Sequence, residues 1–278
     1  MFNTILLTIV VFVPLERLFA IRPQQHVFRA GWQMDSLYLL INPFLSSLGI
    51  NALLFGALLI TSWLIPRQFQ SWVASMPFWI QFPALLILSD LVIYFMHRLC
   101  HAVPWLWKFH AVHHSSEELD WLASYRVHPI DQILIRGVSL IPLFAFGFSG
   151  SAVVTYIFLY QWQSLLIHSN VKFEIGPFAR IFASPRFHHW HHANHLEALN
   201  KNFAAQLSIL DVLFGTLHLP GREMPQYYGT DTPVPRRYLG QIAFPFVPTS
   251  TQVEIGLQDR AISITKSEKA PSSQLRPY

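Results

Sequence analysis

The stretch Leu85-Leu-Ile-Leu-Ser-Asp90-Leu-Val-Ile-Tyr-Phe-Met-His97-Arg-Leu-Cys-His101 passes from an apolar run directly into a pair of histidines. The apolar part belongs to a longer segment, Phe78 to Met96, with the length and hydropathy of a bilayer-crossing helix. His97 and His101 are i and i+4, so on a helix they project from one face just past that segment. The pattern predicts an all-α membrane protein whose polar chemistry begins where a span ends.

Composition agrees with this reading. Of 278 residues, 52% are hydrophobic and only 12% charged, and the mean hydropathy is +0.34, which is too apolar for an ordinary soluble domain. Further apolar stretches are Met1 to Ala20, Leu37 to Ile65, Ile133 to Phe148 and Ala152 to Ile167. The first lacks a basic leader and a small-residue cleavage signal and reads as a retained membrane segment. Asn42-Pro43 inside the second predicts a helix start near Phe44. Gly147-Phe-Ser-Gly-Ser151 joins the last two as a hairpin whose arms are short for a full crossing.

With the N-terminus outside, every one of the 19 Lys and Arg residues except Arg67 falls on one face, the cytoplasmic one. The same face then carries all the histidine clusters. The basic residues flank apolar runs and form no patch with interleaved aromatics, which argues against nucleic acid as a partner. The expected architecture is an integral membrane helical bundle with a cytosolic, histidine-rich helical cap. Residues 1–76 supply N-terminal membrane segments, 77–220 a histidine-box region with the membrane hairpin, and 221–278 a polar tail. Beyond about Ser250 that tail reads as disordered or loosely held. Cys100, the single cysteine, cannot make an internal disulfide and reads as a small buried residue.

Two more clusters follow the first: His110-Ala-Val-His113-His114 and His188-His-Trp-His191-His192. Each places three imidazoles at i, i+3 and i+4 on one helix face. With 14 histidines in the chain, chance yields a His-x-x-His-His pattern at roughly one site in ten thousand, so two copies signal metal ligation. Eight ligands are too many for one ion and suit two. A donor set rich in imidazole and poor in thiolate fits Fe, Zn or Cu. His168, at the end of the last apolar arm, and His128, in Tyr125-Arg-Val-His128-Pro129, are candidates to complete the set. His189 and His195 read as supporting or solvent-facing residues, and His26 and His218 carry no signal. Asp90, seven residues before His97, shares its helix face and is placed to accept a ligand histidine's other N–H. Asn202 and Asp211 read as supporting or capping residues.

Together, Asp90 with His97-x-x-x-His101, His110-x-x-His113-His114-Ser115, Arg126-Val-His128-Pro129, His168-Ser-Asn, Pro185-x-x-His188-x-x-His191-His192 and Leu213-Phe-Gly-Thr216 resemble the fatty acid hydroxylase/sterol desaturase superfamily. The resemblance covers about Leu85 to Leu219. It implies a membrane di-iron enzyme, with zinc a possible substitute in the site, that hydroxylates or desaturates a lipid with O2. The active site would face the cytosol of a bacterial inner membrane or the endoplasmic reticulum. It also implies a separate electron donor, cytochrome b5-like, ferredoxin-like or pterin, since the chain has no flavin or nicotinamide fingerprint. Where some fatty acyl hydroxylases carry a histidine one turn before the equivalent of His168, this chain has Ser164. That leaves either His128 as a replacement ligand or a smaller coordination sphere.

Two other classes compete. A metal transporter would place its histidines within spans near the midplane, whereas these follow span ends. A zinc hydrolase would need a Glu base as in His-Glu-x-x-His, and that motif is absent.

Overall fold

The computed structural model describes residues 2–248. Among them every regular element is helical, with only two isolated β-bridges, Ala20–Val171 and Ala193–Tyr228. The helices are α1 (Phe2–Leu18), α2 (Trp32–Leu64), α3 (Arg67–Ser75), α4 (Phe78–Ala102), α5 (Pro104–His114), α6 (Pro129–Gln132), α7 (Val138–Ala145), α8 (Gly150–His168), α9 (Pro185–His191), α10 (Ile209–Leu213) and α11 (Tyr238–Ala243). A π-helical turn, Ile133–Gly137, joins α6 to α7.

Two of these helices, α2 and α4, are long and apolar enough to cross a membrane. At 1.5 Å per residue the 25 residues of α4 reach about 37 Å, beyond a hydrocarbon core of about 30 Å. A helix that enters one boundary at Phe78 therefore brings His97, about 28 Å along, to the other and carries His101, about 34 Å along, past it. Leu48, Phe55 and Trp63 remain exposed, Trp63 to 90%, as expected of side chains that meet lipid. The hairpin arms are similar in length, because α6, the π-helical turn and α7 run without a break over residues 129–145 while α8 has 19 residues.

The expected start of the second span near Phe44 is corrected, because α2 runs unbroken from Trp32 through Pro43. Pro43 removes one helical N–H and leaves the Leu39 carbonyl without its usual donor. Side chains around it hold the helix in place. Asn42 Nδ2 donates to the Val127 carbonyl at 2.8 Å and to Gln132 Oε1 at 2.9 Å, and Ser46 Oγ donates to the Asn42 carbonyl at 2.7 Å. Farther along, α2 meets the π-helical turn closely, since a Cβ built on Gly49 would lie 2.2 Å from Ile133 Cδ1. Small residues at such crossings let membrane helices approach.

A buried charge cluster fixes the N-terminal loop to the histidine region. Arg29 Nη2 donates to Asp35 at 2.5 Å and to Asp120 at 2.6 Å, and Arg126 Nε donates to Asp35. Two arginines and two aspartates balance one another there. Gly31, with φ of +83°, belongs to the same cluster, since its Cβ would sit 2.4 Å from Arg126 Nη2. Asp35→Ala leaves two buried guanidinium groups short of a carboxylate and is expected to cost about 3–5 kcal/mol. A drop in thermal midpoint in detergent, absent in a surface control such as Glu174→Ala, checks this.

Residues 221–248, expected to begin a polar tail, pack onto the helices. Phe244 is buried with Tyr38, Ala111 and Val112, and Trp190 Nε1 donates to the Glu223 carbonyl at 3.0 Å. Residues 249–278, which include the stretch expected to be loose, lie outside the described residues.

Candidate metal centre

Four helices deliver nine imidazoles to one place. His97 and His101 come from the last turns of α4, His110, His113 and His114 from α5, His168 from the end of α8, and His188, His191 and His192 from α9 and its C-cap. Local sequence sets the helix starts: Pro104 occupies the first turn of α5, Pro185 that of α9, and Ser184 Oγ caps α9 by accepting the Phe187 N–H at 3.3 Å.

The nine divide into two groups. His97, His101, His110, His114 and His191 form one, and His113, His168, His188 and His192 the other; within each, the candidate ligand atoms lie within 4.8 Å of one another. The two His-x-x-His-His boxes are interleaved. In α5 the i and i+4 residues serve the first group and the i+3 residue the second, whereas α9 does the reverse. Each short helix thus spans both groups, because i+3 is displaced around the helix from the line through i and i+4.

The outer nitrogens fix the tautomers. Nδ1 of His97 donates to the Phe203 carbonyl at 2.7 Å, His113 to Arg126 at 2.9 Å, His168 to Ser164 at 2.7 Å and His191 to Lys201 at 2.8 Å. His110 Nδ1 lies 3.0 Å from the Asp131 carboxylate. A carbonyl or carboxylate oxygen only accepts, so in the neutral ring the proton is on Nδ1 and Nε2 is a bare lone pair. Yet Nε2 of His97 and His110 stand 2.9 Å apart, and those of His168 and His113 3.1 Å apart. Facing lone pairs at such distances repel and cannot hydrogen-bond. Donors around a cation with bonds of about 2.1 Å stand about 3 Å apart along a right-angled edge, so a metal ion turns these contacts into favourable ones. His101 and His191 Nε2 are also buried with no hydrogen-bond partner among the described residues. The donor set therefore fits a metal in each group.

Electrostatics agree. Burial, followed by the neighbouring imidazoles, holds His114 and His192 well below the usual histidine range, and His113 is pushed down to about 4. Those rings are neutral at physiological pH, which is the ligating form.

Of the ten histidines expected as ligands, His128 is the one held elsewhere. Its Nδ1 accepts the Ile130 N–H at 3.2 Å as the cap of α6, and its Nε2 donates to the Ile242 carbonyl at 3.1 Å. The following Pro129 sets it in extended backbone at the helix start, and the ring packs against Phe109. Asp90 also differs from expectation. It accepts no imidazole N–H and instead takes the backbone N–H groups of Ala205, Gln206 and Leu207 at 2.6–3.2 Å. Asp211 accepts those of Phe203 and Ala204 at 2.8 and 2.9 Å, and Asn202, at φ +60°, donates to Phe187 and His218 carbonyls. These three residues shape the 201–207 loop, whose Lys201 and Phe203 carbonyls orient His191 and His97.

The carboxylate beside a cluster histidine is Asp131, which sequence reasoning missed. Its one sequence signal is an acid two residues before the apolar arm beginning at Ile133. His189, buried, ties α9 to the end of α8: Nε2 donates to the Ser169 carbonyl at 3.0 Å, leaving Nδ1 to accept the Tyr228 hydroxyl at 2.6 Å. Asp131→Ala is expected to weaken metal retention by about ten- to a hundredfold, the usual cost of removing a carboxylate behind a ligand imidazole; dialysis against graded chelator reads it.

Fold and histidine geometry together define a class: a helical membrane protein with paired imidazole clusters that could each hold a metal ion. A family model for fatty acid hydroxylase matches residues 82–216. That matched region, just under half of the chain, is similar to the fatty acid hydroxylase/sterol desaturase superfamily. It is 31% identical over 205 residues to an ornithine lipid hydroxylase of Rhizobium tropici, covering 74% of this chain and 62% of that one. It is 31% identical to alkylglycerol monooxygenase of Homo sapiens, covering 52% of this chain and 32% of that one, and 24% identical to methylsterol monooxygenase 1 of Gallus gallus, covering 47% and 43%. The chain thus spans less than two thirds of each relative's length. No solved structure matches it.

Proposed function

We propose that this chain is a membrane lipid hydroxylase that uses O2 and external electrons at two irons. One would be held by His97, His101, His110, His114 and His191, the other by His113, His168, His188 and His192. The observation that carries this is the convergence of bare Nε2 lone pairs at about 3 Å, which needs cations. Bound iron supplies the redox chemistry that activates O2; the balanced reaction is R–H, O2, two electrons and two protons giving R–OH and water. The relatives are a hydroxylase and monooxygenases, which favours oxygen insertion over desaturation.

The protein's own part is positional. Carbonyls of Ser164, Arg126, Lys201 and Phe203 and the Asp131 carboxylate keep the rings neutral and aimed, and packed helices keep bulk water from the reacting carbon. Residues 77–220 form the catalytic region, on the cytosolic face. Electrons come from a separate donor, of cytochrome b5-like, ferredoxin-like or pterin type.

Incubating iron-loaded protein with isotopically labelled O2, a reductant and membrane lipid extract tests this. A lipid gaining one labelled oxygen with wild type but not with His97→Ala supports it. No product, or label arriving from water, overturns it.

A further inference from the structure

The histidines line one end of a cavity of about 570 Å³ between α2, α8 and the π-helical turn, a volume suited to one small ligand or lipid segment. Its walls are more polar than an alkyl chain requires. Arg136, half-buried, lines it, and among the described residues no carboxylate pairs with this guanidinium. Its contacts are neutral: Nη1 donates to Gln161 Oε1 at 3.3 Å, and the group lies 5.4 Å from the centre of the Tyr160 ring. Two residues of α2, Tyr38 and Asn42, line the same cavity and are 0% and 3% exposed. The Tyr38 hydroxyl and Asn42 Oδ1 have no hydrogen-bond partner among the described residues, although Asn42 Nδ2 is pinned by Val127 and Gln132.

A cation without a counter-ion among membrane helices is expensive and marks a functional group. Unpartnered buried oxygens add to that cost. An acidic amphiphile whose head group also carries a hydroxyl or N–H donor resolves both: the oxyanion pairs with the guanidinium, and the donor serves Asn42 Oδ1, which only accepts. Resting on the oxygenase reading and deepening it, we propose that Arg136 binds the oxyanion of the substrate's head group, a carboxylate or phosphodiester. The Tyr38 hydroxyl donates to, and Asn42 Oδ1 accepts from, further polar atoms of the same head group. Gln161 precedes His168 by seven residues on α8, about 10 Å along the helix axis. The oxidised carbon therefore lies about that far from the acidic group.

Tryptophan-quenching titrations of the full-length protein in nonionic detergent test this without turnover. The probes are a brominated long-chain fatty acid, its methyl ester and the matching lysophosphatidylglycerol. Wild type is expected to prefer an anion over the ester by about tenfold, the value of a charge-assisted hydrogen-bond pair. Preference for the fatty acid alone identifies a carboxylate, and preference for both anions identifies a general oxyanion site. Arg136→Gln should erase the preference with ester affinity unchanged, which also shows that the variant is folded. Gln161→Glu should erase it too, by placing a carboxylate beside the guanidinium. Equal affinity of wild type for anions and ester, or an undiminished preference in Arg136→Gln, overturns the site. Binding is read apart from label incorporation, so either reading can fail alone.

Discussion

Alanine at His113 and alanine at His188 are expected to give the same defect, loss of one metal and more than about a hundredfold of turnover, although the two lie in different boxes. They share a group with His168 and His192. His114, the chain neighbour of His113, belongs to the other group. The double variant His113→Ala/His188→Ala should therefore lose no more metal than either single one. His113→Ala/His114→Ala should lose both ions. Residues that act as a unit are non-additive while independent sites add, so metal per chain across this set reads the interleaving directly. Additive losses for His113 with His188 would contradict it.

Asp90→Ala carries the other large expectation. The carboxylate, fully buried on α4, is among the described residues the sole acceptor placed against the N–H groups of Ala205, Gln206 and Leu207. Removing it strands these donors and is expected to cost on the order of 3–5 kcal/mol. The damage should be local before it is global. Loosening the 201–207 loop releases the Phe203 and Lys201 carbonyls from His97 and His191, both in the five-histidine group. That group should lose its ion at lower chelator concentration, while His113 and His168, oriented by Arg126 and Ser164, keep theirs. Asp90→Asn, which retains one acceptor oxygen, should fall between. Equal loss from both groups would show that Asp90 acts only on global stability.

The cluster histidines were legible because their spacing matches the helical period and because imidazoles in such density have few other uses. His168 was legible as a histidine at the end of an apolar arm. His128 misled because motif context does not reveal that a residue before proline caps the next helix. Asp90 misled because its distance from His97 along α4 is right for a ligand partner, while the loop that claims it lies more than a hundred residues downstream. The orienting carbonyls of Arg126, Ser164, Lys201 and Phe203 are backbone atoms that any residue supplies, so no sequence signal marks them. Pro43 suggested a break that Asn42, Ser46 and Gln132 compensate. The cavity's polar wall is spread over α2, the π-helical turn and α8, and only the fold brings it together.

The most direct test of the central claim is metal content per chain on anaerobically purified protein, with iron and zinc both quantified, wild type beside His113→Ala. The account predicts close to two irons in wild type and about one in the variant. No stoichiometric metal in wild type, or a single zinc unaffected by His113→Ala, would contradict it.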